Sequence, residues 1–129
     1  MMLKTTIDLL KQMDAPTEPF IKVLEMQPEE RGMEENFIYV ELTVCDGDEK
    51  ELRETVDYLL RPIFRYGDIT VYDNNFYLGG HRLMCEEEFE FVYDGEWFRS
   101  SVITIRNKEQ LELFELKPGR DRVRARMRF

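Results

Sequence analysis

Leu3, Ile7 and Leu10 recur at helical spacing, and the stripe stops at Ala15-Pro16, where the residue before proline is held out of the helical region. A short first helix is expected there. Phe20 to Met26 and Phe37 to Val44 are rich in β-branched and aromatic residues, and in the second Ile38, Val40, Leu42 and Val44 alternate on one face. This pattern predicts two paired strands, separated over residues 27–36 by a solvated loop that carries Glu29, Glu30, Glu34 and Glu35. Asp48 with Glu51 three residues on has the layout of a capping box. It precedes an apolar stripe at Leu52, Val56, Leu59, Leu60, Ile63 and Phe64. A second helix follows, stopped near Leu60 or Arg61 by Pro62.

After a turn at Tyr66-Gly67-Asp68 the pattern reads as strand. Residues 69–72 and 76–78 flank the turn formers Asp73-Asn74-Asn75, and Gly79-Gly80 closes that hairpin. His81 to Tyr93 and Trp97 to Arg106 are expected as a long hairpin about Asp94-Gly95, a type I′ signal. Leu111 to Leu116 and Val123 to Phe129 complete the strands, joined through Lys117-Pro118-Gly119. On the strand through residue 90, Glu86, Glu88 and Glu90 share one face while Phe89, Phe91 and Tyr93 share the other.

The run from Leu83 to Ile105, with its acidic-hydrophobic strand, its Asp94-Gly95 turn and the following Trp97, resembles the first long hairpin of SH3-like and Tudor-like small barrels. Gly80, Leu83, Cys85, Phe89, Gly95, Trp97 and Val102 are similar in spacing to small uncharacterised proteins of bacterial plasmids, phages and conjugative elements. The resemblance covers about half the chain and implies no activity. It implies a curved antiparallel sheet or small barrel over residues 66–129. Beside it, residues 1–65 are expected as an α-β-β-α unit, the two halves together making one compact α+β domain that is mainly antiparallel β. Tudor-like relatives hold modified basic side chains in aromatic cages, a task for which Tyr93, Trp97 and Phe98 are the available rings. The plainer reading places Trp97 in the core.

Composition alters this picture in two ways. With 129 residues, 43% of them hydrophobic, the chain is long enough and apolar enough for a core despite 35% charged residues. Its net charge of −9 is unevenly spread. Lys117, five arginines and Asp121 give residues 117–129 a net +5, leaving −14 on residues 1–116. Such a body favours basic partners and disfavours nucleic acid and anionic membranes. The absence of a long apolar run, and an amino-terminal sequence without the layout of a signal peptide, make a cytoplasmic protein the expectation. Cys45 and Cys85 are expected as buried thiols.

No catalytic or metal motif emerges. His81 is the single histidine and makes a His-x3-Cys pair with Cys85, short of the four ligands of a structural zinc. Asp46, Asp48 and Glu49 lack the spacing of a calcium loop, and Ser100 and Ser101 lack a nucleophile elbow. No cofactor and no enzymatic activity are expected.

The tail is the most informative segment. Arg120, Arg122, Arg124, Arg126 and Arg128 alternate with Val123, Ala125, Met127 and Phe129, so a strand directs the arginines to one face. They are either a row for RNA or single-stranded DNA, with Trp97 or Tyr93 as a stacking ring, or cross-strand partners of Glu86, Glu88 and Glu90. The abundance of carboxylate favours the second. The expected function is therefore a non-catalytic interaction protein, of the kind that serves a mobile element as an accessory or host-interfering factor. Its surface would be the acidic clusters at Glu29, Glu30, Glu34 and Glu35 and at Glu86, Glu87, Glu88 and Glu90, facing a basic protein.

Overall fold

The computed structural model describes residues 2–107 and 122–129. It divides into two compact units, Met1–Arg61 and Pro62–Phe129. The expected strand over residues 111–116, the turn at residues 117–119 and Arg120 lie outside the described residues.

The first unit is helical throughout: α1 (Met2–Gln12), α2 (Glu18–Glu25), a 3-10 turn over Pro28–Glu30, α3 (Met33–Thr43) and α4 (Glu49–Leu60). The two strands expected over residues 20–26 and 37–44 are helices instead. In α2, Phe20, Val23 and Leu24 are the buried residues, the i, i+3, i+4 pattern of one helical face. Pro19 sits in the first turn, where its missing N–H costs nothing. In α3 the alternation of branched residues is incidental. Leu42 is buried, but Val40 and Val44 are 53% and 70% exposed, and burial follows Phe37, Leu42 and Cys45. The helix is set at its start, where Glu35 Oε1 accepts from the Gly32 N–H at 2.9 Å, satisfying one donor of its opening turn. Helix α4 begins as expected, with Asp48 Oδ1 accepting from the Glu51 N–H at 3.0 Å, and it ends before Pro62. The hydroxyl of Thr17 donates to the Leu10 carbonyl at 2.8 Å in the buried corner between α1 and α2.

The second unit holds β1 (Ile63–Tyr72), β2 (Asn75–Leu78), β3 (His81–Arg82), β4 (Glu88–Tyr93), β5 (Glu96–Ser101), α5 (Val102–Asn107) and β6 (Val123–Arg128). The fold is thus α+β with an antiparallel sheet in the order β3-β2-β1-β6-β4-β5. The sheet is open, ending at β3 and β5 among the described residues, so the closed barrel implied by the resemblance is not formed there. Its three tight turns are two-residue loops with positive φ at both positions: Asp73-Asn74, Gly79-Gly80 and Asp94-Gly95. Those angles match the twist of the flanking strands.

Three strand boundaries differ from expectation. Tyr66-Gly67-Asp68 is not a turn but the middle of β1, paired with β6. Gly67 allows a close approach there, since a Cβ would stand 3.2 Å from the Gly79 nitrogen and require the backbone of Gly79 to give by a few tenths of an ångström. The long strand from His81 is cut after Arg82, where Leu83 turns into the core and Glu87 Oε1 accepts from the Met84 N–H at 2.8 Å. Glu86 consequently lies in a loop. The return strand stops at Ser101, whose Oγ accepts from the Thr104 N–H at 3.3 Å and starts α5. Val102 and Ile105 are buried one helical turn apart, which overrides the β-branched character of the segment.

The core of this unit lies on one side of the sheet. Ile69, Phe76, Leu78, Phe89, Phe91, Ala125 and Met127 meet there with Leu83 and with Val102 and Ile105 of α5.

The cysteines differ from each other: Cys45 is buried and Cys85 is exposed. Burial pushes the Cys45 thiol up, only partly offset by its 3.4 Å contact with the Thr55 hydroxyl, and nearby Glu51, Glu41 and Asp48 push it further. Because the thiolate is the reactive form, a thiol reagent at mildly alkaline pH should modify Cys85 promptly and Cys45 only after denaturant is added. Two fast-reacting thiols in the native protein would contradict this placement.

Candidate interaction surface

Opposite the apolar side, the alternation of the strands collects charge. Register places Glu90 between Arg99 of β5 and Arg126 of β6, and places Arg126 opposite Tyr66 and Arg124 opposite Asp68 of β1. Val92 and Trp97 face each other on the same side. All of these residues therefore share one face of the sheet.

The centre of the face is a buried carboxylate. Glu90 has no solvent exposure and Arg126 has 1%. Arg126 Nε donates to Glu90 Oε1 at 2.7 Å, and Arg128 Nε donates to Oε2 at 2.6 Å. The indole of Trp97 lies beneath two cations, with the Arg126 guanidinium 3.9 Å and that of Arg124 5.2 Å from the ring centroid. Short charge-assisted hydrogen bonds and a desolvated cation–π contact offset the large cost of burying these charges.

Around this centre the remaining pairs are more exposed. Arg99 donates to both oxygens of Glu88 at 2.9 Å, and Arg122 stands 3.8 Å from Asp68. Of the glutamates expected to meet the arginine row, Glu90 meets Arg126 and Arg128, Glu88 meets Arg99 instead, and Glu86 is exposed in its loop. Glu87 approaches His81 at 3.3 Å.

The three rings considered for an aromatic cage do not converge. Tyr93 and Phe98 lie edge to face at 6.4 Å on the same side of the sheet as Phe91, whereas Trp97 is buried on the charged side. The other acidic cluster belongs to the helical unit: Glu29, Glu30 and Glu34 are exposed, while Glu35 is half-buried in its capping bond to Gly32. Two exposed tyrosines on the charged face, Tyr66 and Tyr72, together with Arg82, escaped the sequence reading. Their signal was present as the alternation of Tyr66, Asp68, Thr70 and Tyr72, hidden once residues 66–68 are taken as a turn.

Among the described residues no group of three or more His, Cys, Asp or Glu is placed to hold a metal ion, and no helix is long and apolar enough to cross a membrane. Comparison with family models, with curated proteins and with solved structures gives no match.

Removing one member of a buried ion pair strands the other, which typically costs about 3–5 kcal/mol. Glu90→Ala should therefore destabilise the sheet unit by about that amount in urea unfolding followed by the fluorescence of Trp97, the single tryptophan. A loss under about 1 kcal/mol, the scale of an exposed pair, would show that Glu90 is not the buried anchor.

Proposed function

We propose that this is a non-catalytic interaction protein whose helical unit presents an acidic surface to a basic protein partner. The observation that carries this reading is the division of charge between the two units. Residues 1–61 contain fifteen Asp and Glu against seven Lys and Arg, a net −8, whereas residues 62–129 are close to balance with twelve against eleven. In α4 and the turn before it, Asp46, Asp48, Glu49, Glu51, Glu54 and Asp57 are all exposed, with only Lys50, Arg53 and Arg61 as cations nearby in sequence. The i, i+4 pairs Arg53–Glu49 and Arg61–Asp57 neutralise part of that surface and leave it strongly negative.

A field of one sign on a small unit steers association with an oppositely charged partner and makes it sensitive to salt. Occupation of a basic groove in a nucleic-acid-handling protein is the finer form of this reading, and the likeness in spacing to proteins of mobile elements adds the role of accessory or host-interfering factor. Nucleic-acid binding through the whole arginine row has less support, because Glu90 engages Arg126 and Arg128.

The test is affinity capture from bacterial lysate with the native chain and with a variant carrying Glu29→Gln, Glu30→Gln, Glu51→Gln and Glu54→Gln. Surface changes of this kind leave stability nearly unchanged. The reading expects a basic partner that is retained at about 50 mM salt, released at about 500 mM, and absent from the variant's capture. Equal capture by both proteins, or no basic partner at low salt, would overturn it.

A further inference from the structure

The charged face of the sheet continues beyond the Glu90 centre onto β1, β2 and β3, and there it changes character. Tyr66 and Tyr72 are 64% and 76% exposed. Register brings Tyr77 opposite Thr70 and opposite Arg82, so Tyr77 stands diagonally beside Tyr72 on the same face. Arg82, Arg122 and Arg124 are exposed, and Asp68 is the acidic residue of β1 that lies among them, 3.8 Å from Arg122. Arg82 is steadied by a 3.0 Å bond to the Asn75 side chain, and Arg124 by the face of Trp97. The other side of the same sheet is occupied by the core beneath α5.

Two exposed tyrosines and the half-buried Tyr77 on one face of an antiparallel sheet, set among exposed guanidinium groups, suit one kind of ligand. Nucleobases stack on such rings whatever their sequence, and a stacked guanidinium presents its edge to phosphate. From Tyr66 to Tyr72 the strand covers about 20 Å, room for a few unstacked nucleotides. The geometry points to this face as a binding site for single-stranded polynucleotide, with bases stacking on Tyr66, Tyr72 and Tyr77 and backbone phosphates meeting Arg82, Arg122 and Arg124.

This site draws its residues from the sheet unit alone and takes only Arg122 and Arg124 from the arginine row read from the sequence. The buried Arg126 and Trp97 and the half-buried Arg128 lie beside it on the same face, and the contacts come from the tyrosines and from the exposed arginines. With the sheet unit near neutrality, stacking supplies most of the binding and salt dependence is shallow. Three phosphate contacts to a single strand give a slope of log K against log salt of about −2.

The test is fluorescence anisotropy of a labelled mixed-sequence 15-mer, as RNA, as single-stranded DNA and as duplex, titrated with the full chain at about 50 mM salt and above. The proposal expects binding of a single strand in preference to duplex, and the tighter of the RNA and DNA forms identifies the source. Tyr66→Ala and Tyr72→Ala should each weaken binding about tenfold, as loss of one stacked base does. Tyr66→Phe and Tyr72→Phe, which keep the ring, should bind as the native chain. Arg124→Gln should lower the salt slope by a little under one. No anisotropy change at about 100 μM protein would overturn the proposal, that concentration being the weak end of non-specific binding. Affinity indifferent to the alanine substitutions would also overturn it. So would a dimer in sedimentation that dissolves in the same variants, since the face would then be a contact between copies of this chain.

Discussion

A carboxylate without access to water, in the middle of an antiparallel sheet, is tolerated only if cations are brought to it in correct geometry. Glu90 meets this condition through two guanidinium groups on β6, at 2.7 and 2.6 Å. The requirement reaches well beyond the pair itself. Because side chains alternate along a strand, slipping β6 by one residue against β4 would turn Arg126 toward Phe89 and Phe91 and expose Ala125 and Met127. The ion pair and the apolar side thus select the same register, and each would be lost with the other. β1 is tied to this register through its pairing with β6, and β2 and β3 through β1.

That constraint also decides how the arginines of the tail act. Alternation alone makes Arg122, Arg124, Arg126 and Arg128 equivalent, but their neighbours in space do not. Arg126 and Arg128 hold Glu90; Arg124 lies over Trp97 with its outer side in water; Arg122 stands by Asp68 at the end of the face. The same strand therefore secures the sheet at one end and offers cations to solvent at the other. Meanwhile almost all of the net negative charge belongs to the helical unit. The two units thus differ in charge, a difference that the total for the chain conceals.

Some of this was legible in the residue pattern. The Asp48 cap and α4, the Asp94-Gly95 turn and the terminal strand follow from local rules that the rest of the fold does not override. Asn75, expected in a turn, instead opens β2, and Gly79-Gly80, expected to close a hairpin, turns the chain from β2 into β3. The first half was less legible because Phe20 to Met26 and Phe37 to Val44 are short segments rich in branched residues, for which period two and period 3.6 compete. The capping of α3 by Glu35 and the burial of Phe20, Val23 and Leu24 decide between them, and these are properties of the folded chain. Val102 to Ile105 was obscured in the same way, since four β-branched residues were drawn into a helix by Ser101 and by the core. At the candidate surface, the match of glutamate to arginine could be expected from alternation. Which glutamate would be buried could not, because that depends on β4 lying between β5 and β6. The exposed tyrosines of β1 were missed for a simpler reason: Tyr66-Gly67-Asp68 has the composition of a turn, while Gly67 serves the close approach of Gly79.

The central claim is that Glu90 and Arg126 act as one buried unit. A double-mutant cycle of Glu90→Gln and Arg126→Met, read by urea unfolding through Trp97, measures this directly. Strong coupling of about 2–3 kcal/mol is predicted, because each substitution removes the same short buried bond, and the second then costs less than it would in the native chain even though Arg128 keeps its own bond to Glu90. Additivity within about 0.5 kcal/mol would contradict the account, since that is the behaviour of independent sites.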